Sequence, residues 1–163
     1  MLRLSKLTDY AVVVLVRLDL GTEVQTAPGI AASTGVPEPT VAKVLKTLSA
    51  SGLVTSQRGA RGGYRLGRPL EDIPVSDVIA AMDGPIALAA CVDGSVTECE
   101  SVALCPVRGR WDPVNDAIRR ALSAISLADM RAAAMPPAFR VPPDAELVRV
   151  PRNAEPGRIN ASR

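Results

Sequence analysis

Apolar positions along the first half of the chain recur at helical spacing and break at glycine and proline. "LTDYAVVVLVRLDLG" predicts a helix that is apolar on most of its surface, with Ser5 or Thr8 at its start and Gly21 at its end. "TAPGIAASTG" predicts a short second helix, with Thr26 as N-cap, Pro28 in the first turn and Gly35 past the end. Val36 and Pro37 make the turn into "EPTVAKVLKTLSASG". There Val41, Val44, Leu45 and Leu48 share one face, Lys43, Lys46 and Thr47 occupy another, and Gly52 ends the helix. The period then changes. Two short β-like runs, Leu53–Gln57 and Tyr64–Leu66, flank the glycine-rich tip "RGARGG", which suits a hairpin.

Further on, "VSDVIAAMDGPI" predicts a short amphipathic helix stopped by Asp83-Gly84-Pro85. "CVDGSVTECESVALCPV" has little periodicity and is expected to be a loop. "WDPVNDAIRRALSAISLADM" predicts one long helix with Asp112 as N-cap and Pro113 at its first position. Trp111, Val114, Ile118, Ala121, Ile125 and Ala128 form an apolar stripe about five turns long. A small domain has little core left to cover such a stripe, so a homodimer is expected, with Trp111, Val114, Ile118, Ala121, Leu122 and Ile125 at its interface. Docking on the chain's own first helix is the alternative, and the two do not exclude each other. From Met135 the chain has six prolines and no periodicity, the pattern of a disordered tail.

The fold class that follows is mainly α with a small β wing. Residues 1–70 are expected to form a winged helix-turn-helix, residues 71–130 a cysteine loop and dimerisation helix, and residues 131–163 a Pro/Arg-rich tail. At 163 residues the chain can support one ordinary core. Its four aromatic residues, Tyr10, Tyr64, Trp111 and Phe139, are too few for a base-stacking platform. No apolar run reaches membrane-spanning length, and the first residues lack a signal peptide's apolar region, so a cytoplasmic protein is expected. An odd cysteine count in a reducing compartment argues against a disulfide framework. With no histidine and no clustered acid–base pair, nothing resembles a catalytic constellation, and no enzyme is expected.

Charge sharpens the first region. Residues 1–70 carry nine Lys/Arg against four Asp/Glu, whereas residues 71–135 carry five against ten. A basic segment beside an acidic one suggests a polyanionic partner for the first. Two short helices, a glycine-containing turn and an arginine-rich hairpin suit double-stranded DNA, because an α-helix fits the major groove and an arginine fits the electronegative minor groove. Glu38, Pro39 and Thr40 would begin the recognition helix, with Thr40, Lys43 and Lys46 toward DNA. Arg58, Arg61 and Tyr64 would serve from the wing, Arg61 at the tip. Three packed helices and a solvated loop are the plainer alternative.

The opening "LSKLTDYAVVVL", the wing "RGARGGYRLGRP", the "IAAMDGPI" segment and three cysteines just before a long helix together resemble the Rrf-two family of bacterial transcription regulators over about residues 1–130. Its members include iron–sulfur, iron and nitric-oxide regulators and repressors of the SUF assembly operon. The resemblance implies a winged-helix homodimer with paired C-terminal helices, a near-palindromic operator and an iron–sulfur cluster, 2Fe–2S or 4Fe–4S. It implies Cys91, Cys99 and Cys105 as cluster ligands. Members with a histidine ligand place it near the last cysteine or on the first helix. Here those places hold Pro106-Val107-Arg108 and Val13, and Asp9 matches an aspartate ligand position of the nitric-oxide sensor. The seven residues between Cys91 and Cys99 exceed the spacing of the best-known members and resemble the SUF-operon type. The implied function is an iron–sulfur-sensing regulator of SUF or iron-homeostasis genes; the alternative is a nitric-oxide or thiol-sensing repressor of the same fold. Zinc held by thiolates and a carboxylate is a further reading, weakened by the lack of a Cys-x2-Cys pair.

Overall fold

The computed structural model describes residues 4–21, 23–59, 61–92 and 105–132. Cys99 and the proline-rich tail beyond residue 132 lie outside the described residues. The described elements are α1 (Lys6–Asp19), α2 (Ala27–Thr34), α3 (Glu38–Ala50), β1 (Val54–Gln57), β2 (Gly63–Leu66), a 3-10 turn (Leu70–Asp72), α4 (Val75–Asp83), α5 (Asp112–Ser123) and α6 (Leu127–Arg131).

The sequence signals act where expected at the N-terminal end. Ser5, rather than Thr8, caps α1 by accepting from the Thr8 amide at 3.1 Å. Thr26 caps α2 through the Gly29 amide at 3.2 Å, and Gly35 closes it in the left-handed region at φ 72°. Helix α1 forms the centre. Ala11, Val14, Leu15 and Leu18 are buried along it, and α2, α3, α4, α6 and β2 all pack around it. Ile30, Val41, Val44, Leu45 and Leu48 complete the helix-turn-helix core, and Leu70, Ile73, Val75 and Val78 extend it toward α4. Leu15, Ile30, Leu45 and Leu48 are fully buried. Each such side chain contributes roughly 1.5–3 kcal/mol of transfer free energy.

The expected long C-terminal helix is not continuous. Helix α5 stops at Ser123, and α6 starts afresh at Leu127. Ser126 accepts from the Asp129 amide at 3.1 Å, while the Asp129 carboxylate accepts from the Ser126 amide at 2.9 Å. This reciprocal capping box specifies a helix start inside the apolar stripe. The intervening residues pair with the segment before α4: Val75 donates to the Ile125 carbonyl at 2.9 Å, and Leu127 donates to the Ile73 carbonyl at 2.9 Å. Leu122, Ile125 and Ala128 therefore pack against the chain's own core, the alternative use of the stripe. The start of α5 also falls one residue away from expectation, with Trp111 at the N-cap position and Asp112 the first helical residue.

Candidate nucleic-acid interface and thiol centre

Helix α3 buries Val41, Val44, Leu45 and Leu48, which turns Glu38, Pro39, Ala42, Lys43 and Lys46 outward. Thr40 is half-buried at the edge of that face. Pro37 occupies the N-cap position, so no side chain covers the start of α3. The Thr40 and Val41 amides turn inward to the Pro37 carbonyl at 2.9 and 3.0 Å.

The wing follows at once. Leu53 donates to the Leu48 carbonyl at 3.0 Å, so the chain leaves α3 and enters β1 within one turn. Strands β1 and β2 pair antiparallel, Val54 opposite Leu66 and Gln57 opposite Gly63. Gly62 donates to the Gly59 carbonyl at 2.9 Å to close the tip, where Arg58 and Arg61 are exposed. Gly62 has no room for a side chain, because a Cβ there would lie 2.5 Å from the Gln57 carbonyl oxygen. Arg65 is braced on the Thr55 hydroxyl at 3.1 Å, and Arg68 pairs with Asp77 of α4. Tyr64 differs from the other wing candidates: it is half-buried against the core. The lysine face of α3 and the arginine tip thus belong to one continuous unit.

The backbone that leads into the cysteine segment is anchored by α5. Asn115, in the first turn of α5 and only 2% exposed, accepts from the Leu88 amide at 3.0 Å and donates to the Ile86 carbonyl at 3.1 Å. It thereby pairs with the backbone that runs to Cys91. At the other end Cys105 opens the turns that lead into α5, its carbonyl accepting from Arg108 at 3.3 Å. Cys91 and Cys105 are free, half-buried thiols. Asp9 lies exposed in the first turn of α1. It lines a groove of about 500 Å³ with Leu4, Val12, Val75, Ile79 and Met130, and neither described thiol lines that groove. Among the described residues no three His, Cys, Asp or Glu side chains are assembled as a metal site.

Of the residues proposed for a dimer interface, Trp111 and Val114 are each 44% exposed, Ile118 and Ala121 are half-buried, and Leu122 and Ile125 pack inward. No helix among the described residues is long and apolar enough to cross a membrane.

Residues 4–133 match the family described as Rrf2, iron-dependent transcriptional regulator. The chain belongs to the Rrf2 family. Protein aau3 of Rhizobium meliloti (strain 1021) is 36% identical over 124 residues, covering 76% of each chain. The solved structure of CymR, described as the global cysteine regulator of B. subtilis, aligns with a TM-score of 0.62 at 29% identity. That alignment covers 82% of this chain and 98% of CymR. IscR of T. potens aligns with a TM-score of 0.57 at 32% identity, over 82% of this chain and 89% of IscR. This Rrf2 protein is accordingly a DNA-binding transcriptional regulator and not an enzyme.

Two side chains of this Rrf2 chain carry no signal in the sequence pattern. Asn115 is one more polar position on α5. Asp83 marks the end of α4, yet its carboxylate accepts from the Ser5 amide at 3.2 Å and the Thr8 hydroxyl at 2.7 Å. Partial burial pushes the Asp83 carboxyl up, but the hydrogen bonds from Ser5 and Thr8 outweigh it and hold the group below its ordinary value.

Proposed function

We propose that this Rrf2 regulator is a homodimer whose affinity for a near-palindromic operator is set by an iron–sulfur cluster, and that it governs SUF assembly or iron-homeostasis genes. Cys91, Cys99 and Cys105 would hold the cluster, 2Fe–2S or 4Fe–4S, and Asp9 of the partner subunit would complete it. The observation that carries this is the gathering of all three thiols of a histidine-free chain in one segment, with α5 anchoring the backbone before Cys91 and a short run of turns leading from Cys105 into α5.

The donor set fits the group. Thiolates are soft ligands matched to iron–sulfur clusters, and cluster ligands need a wrapping loop rather than one helical face. When bound, the cluster supplies an oxidisable, ligand-exchanging centre. The chain's own residues do the rest. Asn115 fixes the backbone that leads to Cys91. Exposed Trp111 and Val114, with Ile118 and Ala121 beside them, offer the partner subunit an apolar face. Glu38, Pro39, Thr40, Lys43 and Lys46 face the major groove, Arg58 and Arg61 reach from the wing, and Tyr64 seats the wing on the core.

A second reading has one specific support, the likeness to CymR, described as a cysteine regulator. In it the same thiols switch DNA binding by oxidation, without a cluster. One experiment decides. The protein is purified anaerobically, its visible absorption and iron content are measured, and binding to a promoter fragment recovered by chromatin immunoprecipitation is titrated before and after cluster removal. A brown, iron-containing protein whose operator affinity changes on removal is expected. A colourless protein whose binding responds to a thiol oxidant would establish the second reading instead.

A further inference from the structure

The wing is joined to the rest of the molecule at one point that neither the helix-turn-helix nor the thiol centre accounts for. The Gln25 backbone pairs with β2 in both directions: its amide donates to the Tyr64 carbonyl at 2.9 Å, and the Tyr64 amide donates to the Gln25 carbonyl at 2.8 Å. The Gln25 side chain points the other way. Its Nε2 donates to the Arg17 and Leu18 carbonyls, at 3.2 and 3.1 Å, on the last turn of α1. One residue therefore holds the C-terminal end of the central helix with its side chain and the wing with its main chain.

The surrounding residues are shaped for this joint. A Cβ on Gly21 would lie 2.2 Å from the Gln25 Nε2, and a Cβ on Gly63 would lie 2.5 Å from the Gln25 carbonyl oxygen. Both approaches therefore depend on glycine. On the same turn of α1, Arg17 donates through Nε to Ser33 of α2 at 2.7 Å, so this turn also touches the helix-turn-helix. The Arg17 and Leu18 carbonyls also accept from the Leu20 and Gly21 amides, at 3.2 and 3.3 Å, and the two N–H groups of the carboxamide reach the second lone pair of each.

We propose that Gln25 is a positioning residue for operator recognition: by clasping the last turn of α1 to β2 it fixes the pose of the wing and so places Arg61 against DNA. This rests on the reading that the wing contacts DNA. A glutamate in its place would keep the shape and aim carboxylate oxygens at carbonyl oxygens, releasing the side-chain half of the clasp.

The test is a double-mutant cycle of Gln25→Glu and Arg61→Ala, with operator affinity measured by fluorescence anisotropy on the immunoprecipitated promoter fragment and thermal unfolding recorded for every protein. Gln25→Glu is expected to weaken binding about tenfold when Arg61 is present and less than about twofold when Arg61 is already alanine. Hydroxyl-radical footprints should lose their flanking minor-groove protection in Gln25→Glu as they do in Arg61→Ala. Equal losses in both backgrounds would make Gln25 merely structural and overturn the proposal, as would no loss at all. If Arg61→Ala alone binds as the wild type, the wing contact itself fails, and the clasp has no role in recognition. Should Gln25→Glu unfold, Gly21→Ala, which pushes on the same amide from the other side, replaces it in the cycle: a loss that depends on Arg61 is again expected, and a loss independent of Arg61, or none, again overturns the proposal.

Discussion

Asp83 accepts a hydrogen bond from the Thr8 hydroxyl at 2.7 Å, across 75 positions of sequence. The last residue of α4 thus supports the first turn of α1, in which Asp9 sits. Removing this carboxylate leaves the Thr8 hydroxyl, 1% exposed at its residue, with Ser5 at 3.0 Å as its remaining side-chain partner among the described residues. Asp83→Ala is expected to cost about 1 kcal/mol in urea unfolding, the small value fitting an exposed acceptor. The pH dependence has a fixed sign. The folded carboxyl lies below its ordinary value, so its contribution is fully present above that value and is lost as the pH falls through the lower, folded one. Asp129, held low by its hydrogen bonds to the Ser126 amide and hydroxyl, adds in the same direction. The acid limb of the stability curve should be shallower in Asp83→Asn, and an unchanged limb would refute the assignment.

Asn115 ties two backbone groups of the segment 86–88 to α5 from a position 2% exposed. Replacing it with leucine leaves the Leu88 amide and Ile86 carbonyl without that partner. A loss of roughly 1–3 kcal/mol is expected, because part-buried polar groups left without a partner cost more than the bond itself was worth. The thiol nearest this anchor, Cys91, should alkylate faster at constant pH in Asn115→Leu. Mass spectrometry of the labelled peptide reads this directly, and equal labelling rates in both proteins would show that the anchor does not restrain the segment.

The first three helices and the hairpin were legible because their signals are local. Ser5 and Thr26 cap, Gly35 terminates, and the buried set Val41, Val44, Leu45 and Leu48 is the periodic set. The break in the C-terminal helix was less legible, although Ser126 and Asp129 stand at capping-box spacing. Ile125 and Ala128 are both half-buried and Leu127 fully so, and the apolar rhythm therefore runs through the break unaltered. What makes the break is the pairing of residues 125–127 with 73–75, a non-local contact. Gln25, Asp83 and Asn115 share that property. Each acts through one polar side chain on distant backbone or a distant hydroxyl, and no repeat announces such a residue. The lysines and arginines proposed to contact DNA were legible as charge, whereas the half-burial of Tyr64 needed the fold.

The surface of α5 gives the dimer prediction a sharper target than a continuous stripe would. Val114 and Trp111 are the open apolar positions, whereas Leu122 and Ile125 are occupied by the chain's own core. Val114→Asp should therefore dissociate the dimer without unfolding the protomer, while Ile125→Asp should damage the fold itself. Sedimentation velocity at micromolar concentration, with circular dichroism alongside, separates the two. A monomeric wild-type protein, or a dimer that tolerates Val114→Asp, would place the interface elsewhere. If the dimer holds, two recognition helices would address half-sites roughly 34 Å apart, one turn of DNA or a multiple of it.

Asp9 is the proposed fourth ligand of the three-thiolate site, contributed by the second subunit. It is exposed, in the first turn of α1, beside a groove that neither Cys91 nor Cys105 lines. A carboxylate is a harder ligand than thiolate and exchanges more readily, so the site it completes should be the labile corner. Replacing Cys91, Cys99 or Cys105 with alanine should abolish or cripple cluster binding. Asp9→Ala should retain a cluster that bleaches faster in air and has an altered visible spectrum. Because an acid in the first turn also favours the helix dipole, Asp9→Asn and Asp9→Ala should each lose a few tenths of a kcal/mol in unfolding of the cluster-free protein whatever the ligand role. The discriminating measurement is therefore the bleaching rate of the loaded dimer, with apo-protein stability as its control. A wild-type spectrum and loss rate in Asp9→Ala would exclude Asp9 and turn the search to Glu98, Glu100, water or a small thiol.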